Sequence, residues 1–225
     1  LADDSVLNCI LWEEALNRID GKVFRTGNQV KILGGSYNEK YNNCLITSVE
    51  LVKEAKLGLD KDERDKLFNA IVEYANEIED EELKKYVTEL LFEHEEQFKI
   101  APAARLMHHN YLGGLVEHTF ECLEIAKCLI SNLYKKVDKS FVFAACILHD
   151  FGKIFEYKID TESGLIEYDE KFPKEWLTHS QWGFSNCMAH GFKTVAKMIA
   201  AHHGRAEWGA IVDLNEKDLD PLLYL

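Results

Sequence analysis

The chain has 225 residues, 47% hydrophobic and 29% charged, the balance of an ordinary globular protein long enough for one large or two small domains with a real core. No run approaches the roughly 18 apolar residues of a membrane span, and LADDSVLN has no basic-then-apolar leader pattern; a cytoplasmic protein with no membrane partner is expected. The net charge of −13 argues against a general nucleic-acid-coating protein. Most of it is local, however: residues 1–57 carry 7 basic and 8 acidic side chains, 58–100 carry 6 and 14, and 101–225 carry 13 and 17, so both ends are free to approach a phosphate chain.

From Leu1 to about Ala55, short apolar runs alternate with turn residues. Val30 and Ile32, then Cys44 and Ile46, alternate as half-buried strands do, with Gly34-Gly35 and Asn42-Asn43 bounding their connection. Glu13 to Ile19 reads as a short helix between strands. LADDSVLN reads as the tail of a strand and a turn, so earlier strands are expected before it. Trp12, Phe24, Tyr37 and Tyr41 are able to stack bases if exposed, but in so short a β unit most are expected in the core.

Residues 60–99 change character. Leu67, Ile71, Tyr74 and Ile78, then Leu83, Tyr86, Leu90 and His94, recur at three- and four-residue spacing, which predicts two amphipathic helices with charged outer faces. They read as a helical linker packing one stripe on the next domain. After Pro102, a helix is predicted from Leu115 to about Leu133, with His118, Cys122, Ile125 and Leu129 on one stripe. Asp138 or Ser140 is placed to cap the next helix. Then KIFEYKID and LIEYDEKF alternate around Thr161–Gly164 as a β-hairpin closed by Pro173. His179 opens a further helical segment, and the apolar run Val195–Ala201 ends in His202-His203-Gly204. The six cysteines have no CxxC pair and mostly apolar neighbours, and read as reduced core residues.

The run Phe141–Lys153, FVFAACILHDFGK, holds eight apolar residues before His149, Asp150 and Lys153. A buried helix of this kind delivers a carboxylate into the interior, where an unpaired charge costs several kcal/mol or neutralises. Asp150 therefore needs either an ion pair with Lys153 or a metal ion. A lone inward histidine is more often a core residue than a ligand, but His118, His149, His179, His202 and His203 all lie on or at the end of apolar helical segments that pack around one core. A mixed imidazole and carboxylate set suits Mn, Fe, Ni or Zn, and the lack of thiolate spacing argues against a structural zinc site. With two oxygens, Asp150 can bridge two ions, His118 and His149 on one side and His179 and His202 on the other. That reading frees Lys153 to face a substrate.

The order H…HD…H…HH, with HDxGK at His149–Lys153 and GGLxEHT around His118, resembles the HD-domain metal-dependent phosphohydrolase superfamily. The strings PAARLMHHNYLGGLVEHT, ILHDFGK and AAHHG, after a small β unit and a helical linker, look more narrowly like the bacterial YhaM-type 3′ to 5′ exoribonucleases, which join an OB-fold to an HD domain. The resemblance implies that His118, His149 and Asp150 bind one ion and Asp150, His179 and His202 a second, with His203 a ligand or a partner of one. It makes Asp150 and Lys153 catalytic, with Lys153 on a phosphate, and offers Arg205, His108 and His109 for the substrate side. The implied cofactors are two divalent ions, manganese first and Fe, Ni, Co, Mg or Zn as alternatives. The family's last aspartate ligand is expected a few turns past Leu225; Asp213, Asp218 and Asp220 are the nearest candidates within the chain.

The expected fold is mainly α: an HD-domain helical bundle over 101–225 with a β-hairpin insertion, preceded by a partial OB-like nucleic-acid-binding unit over 1–57 and a helical linker over 58–100. The expected function is two-metal hydrolysis of single-stranded RNA or DNA from the 3′ end, by a monomer or a homo-oligomer. A phosphatase or phosphodiesterase on small nucleotides is the alternative. A di-iron oxygenase and a binding module with a defective metal site are further readings; HDxGK with an OB-like unit counts against the former.

Overall fold

The computed structural model describes residues 8–19, 21–24, 28–53, 57–105, 108–134, 136–172 and 178–215. Pro173, Asp218, Asp220 and residues 1–7 of the LADDSVLN segment lie outside them. The chain divides into two compact units, one of Leu1–Leu57 with Thr161–Leu165, the other of Gly58–Asp160 with Ile166–Leu225.

The first unit contains β1 (Asn8–Ile10), α1 (Glu13–Leu16), a 3-10 turn over Gly21–Phe24, β2 (Gln29–Asn38) and β3 (Asn43–Lys53). The sheet order is β1-β3-β2, with β1 parallel and β2 antiparallel to β3. Gly34-Gly35 does not bound the hairpin connection as the sequence suggests. It lies inside β2, where the register shifts at Ile32/Gly34 and again at Gly34/Gly35. A side chain at 35 would meet Leu45 O at 2.5 Å and one at 34 would meet Thr47 Oγ1 at 2.7 Å, so the glycines permit a bulge and close strand approach rather than a turn. The connection is Glu39–Asn42, with Asn42 at a φ of 46°. Trp12, Phe24, Tyr37 and Tyr41 are exposed, not core. One narrow sheet with a one-turn helix encloses little: among the described residues of this unit only Val23 and Ile46 are buried apolar side chains.

The second unit is helical. It comprises α2 (Lys61–Asn76), α3 (Glu81–Glu93), α4 (Glu95–Ile100), α5 (Gly114–Asn132), α6 (Lys139–Leu148), α7 (Lys153–Glu156), the hairpin β4 (Tyr157–Ile159) and β5 (Ile166–Tyr168), α8 (His179–Ala189) and α9 (Lys193–Ala201). Side chains satisfy the free N–H groups at several helix starts. Asp60 and Glu63 form a reciprocal capping box on α2, Asp80 accepts from Glu82 N and Leu83 N, and Asp138 accepts from Ser140 N at 2.9 Å. Ser140 itself accepts from Glu79 N at 3.0 Å, tying the start of α6 to the α2–α3 turn. The hairpin is shorter than the alternation of KIFEYKID implies, because Lys153–Glu156 continues helically after the Asp150 turn.

The segment read as a linker belongs to this unit's core. Phe68, Ile71, Leu83, Val87, Leu91 and Phe98 join one cluster with Leu115, Leu123, Phe143, Leu148 and Ile199. α6 is packed by α2, α3, α5 and α9, so the most apolar helix is also the most enclosed. An aromatic column runs through the cluster: Phe98 stacks on Phe151 at 5.3 Å, and Phe151 on Trp182 at 5.9 Å. Next to Phe98, the buried ammonium of Lys99 is held by Asp65, Glu95 and Glu96 at 2.8, 2.7 and 3.2 Å. Cys44, Cys122, Cys128, Cys146 and Cys187 are free thiols; Cys187 is buried as expected, but Cys9 and Cys128 are exposed.

Phe98→Ala removes a fully buried ring from this column and is expected to lower the unfolding free energy by about 3–5 kcal/mol. Urea unfolding would show a lower midpoint at an unchanged m-value; an unmoved midpoint would contradict the packing described.

Candidate metal centre

Four helix ends and one helix face build the centre. α6 ends with His149 still helical, and Asp150 follows in the turn before α7. His118 projects from the second turn of α5, His179 is the first residue of α8, whose N-cap Thr178 accepts from Gln181 N, and His202-His203 follow the last turn of α9. Gly204, at a φ of 78°, ends that helix, and Ile211 N and Val212 N both donate to Ala200 O as the chain folds back over it. Gly152 permits a close approach: a Cβ there would sit 2.9 Å from both Cα and O of His179.

These elements converge on the carboxylate of Asp150, which is 4% exposed. Its two oxygens face different histidines. Oδ2 lies 3.5 Å from His118 Nε2 and 3.3 Å from His149 Nε2, while Oδ1 lies 3.3 Å from His179 Nε2 and 3.6 Å from His202 Nε2. Burial opposes the charge on Asp150, but the His149 ring and Lys153 ammonium outweigh it and hold the carboxyl well below the usual carboxylate range. Burial pushes His118 and His202 down to about 4 and lowers His203 as well. An ionised carboxylate beside the neutral imidazoles of His118, His202 and His203 is the protonation state of a ligand set.

The hydrogen bonds fix which ring nitrogen faces inward. Nδ1 of His149 donates to Cys146 O at 2.9 Å, that of His202 to Ile199 O at 2.6 Å and that of His203 to Trp208 O at 2.6 Å. His179 Nδ1 donates to the Glu156 carboxylate at 2.5 Å. Those acceptors cannot donate, so each Nδ1 carries a proton and each ring turns its Nε2 toward the centre, a bare lone pair in the His202 and His203 rings that burial keeps neutral. His179 Nε2 and His203 Nε2 are nevertheless 3.0 Å apart. Asp150 Oδ1 and His202 Nε2 are buried acceptors without a hydrogen-bond partner among the described residues. Converging lone pairs and an unsatisfied carboxylate oxygen are repulsive unless a cation lies among them. Asp150, His179, His202 and His203 place one donor atom each within 4.8 Å of one another, and the residues fit a metal ion.

The structure thus gathers His118, His149, Asp150, His179, His202 and His203 as the sequence suggests. Lys153 is not turned away from Asp150: its Nζ pairs with Oδ2 at 2.6 Å, the ion pair that the gathering of histidines had made seem unneeded. His108 and His109 neighbour His118, with ring centroids 6.2 and 5.5 Å away, but His109 pairs with Glu121 at 3.1 Å and His108 is exposed. Arg205 lies over the Trp208 ring and beside Glu207. Asp213 accepts from Ala206 N and Asn215 N in a local turn. Glu156 escaped sequence reading; its signal is its place one turn after Lys153 in HDFGKIFE. A cavity of about 560 Å³ opens beside the cluster, walled by Ile125, Leu129, Val142 and Met198 and reached by Lys153 and His203.

Glu156→Ala leaves the His179 tautomer unsupported and is expected to weaken divalent-metal affinity about 10–100-fold, measured by calorimetry on chelator-treated protein. Unchanged affinity would remove Glu156 from the centre.

Residues 115–223 match the HD domain family. The chain is also similar to the 3′-5′ exoribonuclease YhaM of Geobacillus sp. (strain WCH70), 28% identical over 232 aligned positions that span 96% of this chain and 69% of that protein. No solved structure matches. These likenesses, with a histidine and aspartate cluster able to hold metal, support a metal-dependent phosphohydrolase. The stretch of the helical unit that carries Asp150 and its histidines is the stretch that matches the HD domain.

Proposed function

We propose that this protein hydrolyses single-stranded RNA from its 3′ end, using two divalent ions, manganese foremost, held about Asp150. The observation that carries the reading is the division of the Asp150 carboxylate: Oδ2 toward His118 and His149, Oδ1 toward His179 and His202. Bound there, such ions supply Lewis acidity and an activated water at neutral pH. The chain's own residues set the rest. The backbone carbonyls and Glu156 orient each imidazole through Nδ1. Lys153, which lines the cavity, exchanges its contact with Asp150 for a non-bridging phosphate oxygen and offsets charge as it develops.

The choice of a polymer substrate rests on two supports. The YhaM relative is named an exoribonuclease. In the N-terminal unit, which we read as OB-like, Trp12, Phe24, Tyr37 and Tyr41 are exposed, as a sequence-tolerant stacking surface requires. A second reading, hydrolysis of small nucleotides, draws on the cavity, since about 560 Å³ suits a single nucleotide.

Asp150→Asn is expected to abolish both metal content and hydrolysis; a variant that still shortens a 5′-labelled oligonucleotide would sink the mechanism. Turnover of mononucleotides or cyclic dinucleotides above that of oligonucleotides would favour the second reading. Replacing Trp12 and Tyr37 with Ala is expected to raise KM for oligonucleotides several-fold with kcat nearly unchanged, each lost base stack being worth about 1–3 kcal/mol.

A further inference from the structure

Cys122 lies one turn after His118 on α5, so the two side chains share a face. Its Sγ is 3.7 Å from His118 Nε2, and His118, Cys122 and His149 bring one donor atom each within 4.8 Å of one another. His118 Nε2 is 3.1 Å from His149 Nε2, and Asp150 Oδ2 is 3.5 and 3.3 Å from those two nitrogens. A tetrahedral zinc ion, with bonds of about 2.0–2.1 Å to nitrogen or oxygen and about 2.3 Å to sulfur, holds N/O donors about 3.4 Å apart and N/S donors about 3.6 Å apart. The Cys122–His118, His118–His149, His118–Asp150 and His149–Asp150 separations each lie within about 0.3 Å of that pattern.

We propose that Cys122 completes, with His118, His149 and Asp150, a four-donor site for a thiophilic divalent cation such as zinc. The inference rests on the reading of this cluster as a metal centre and adds a ligand that the histidine and aspartate pattern does not contain. On binding, the S–H proton passes to solvent and a metal–sulfur bond forms, with no change of oxidation state. A soft ion takes the thiolate, whereas manganese favours the oxygen and imidazole donors. Four protein donors leave no open position for water, the arrangement of closed rather than catalytic zinc sites. Zinc at this position therefore blocks hydrolysis, and Cys122 makes the enzyme sensitive to it.

Cobalt(II) titration of the chelator-treated full chain tests the assignment. The expected spectrum has visible d–d bands together with thiolate-to-cobalt charge-transfer absorption in the near ultraviolet. Cys122→Ser is expected to keep the d–d bands and lose the charge-transfer band. Cys146→Ser, whose thiol is directed to Cys122 O, is expected to keep both. Zinc added to manganese-loaded enzyme is expected to suppress turnover, with Cys122→Ser needing at least about tenfold more zinc. In the unaltered chain, d–d bands without charge transfer would overturn the Cys122 assignment and leave the metal centre standing. Absence of both would overturn the metal reading itself. Charge transfer that persists in Cys122→Ser, or equal zinc sensitivity in the two proteins, would also overturn the proposal.

Discussion

One buried carboxylate organises the helical unit. Water is a far better solvent for an ionised acid than a protein interior is, so Asp150 at 4% exposure needs compensation from its surroundings. The fold brings one counter-charge directly, the Lys153 ammonium, and gathers around the carboxylate the imidazoles that would hold a cation beside it. α5, α8 and α9 each deliver an imidazole, α6 delivers His149, and α7 delivers the Lys153 ammonium. None of these segments is adjacent in sequence to all the others, which is why the core beneath them is broad and continuous: the helices must be held in register for their ends to meet.

The same constraint explains the hydrogen bonds behind the rings. An imidazole near a carboxylate can approach as a donor or as an acceptor, and only the second serves a cation. Cys146 O, Ile199 O, Trp208 O and Glu156 each take the Nδ1 proton. Three of those four partners are backbone carbonyls, two of them in the last turns of α6 and α9, where carbonyls lose their ordinary helical partners. The helix termini thus supply the orienting acceptors as well as the ligands.

Much of this was legible in the sequence, because apolar periodicity and histidine position travel together. The stripes of α2 and α3, the apolar run of α6 and the H…HD…H…HH order place the helices and most of the centre. Other features depend on contacts between distant residues. Gly34-Gly35 reads alike as a turn or as a bulge, and the choice was made by Thr47 and Leu45 across the sheet. The aromatics of the N-terminal unit were expected inside because burial is their habit, but three strands and one short helix cannot enclose them. Residues 58–100 look like a linker by charge, yet their apolar stripe supplies much of the core with 101–201. Glu156 was missed because its partner, His179, lies 23 residues further on and meets it only once the chain has returned from the hairpin.

Gly152 has a consequence for how the centre can vary. The Asp150 turn and the start of α8 are separated by less than the room one methyl group requires. The clearance lies on one side only, toward His179; no other side chain of the centre is among the nearest neighbours of position 152. A single added carbon there would press on the Oδ1 side of the cluster through the His179 backbone. The spacing between the Asp150 turn and the start of α8 is thus set by a hydrogen atom where every other amino acid carries a side chain.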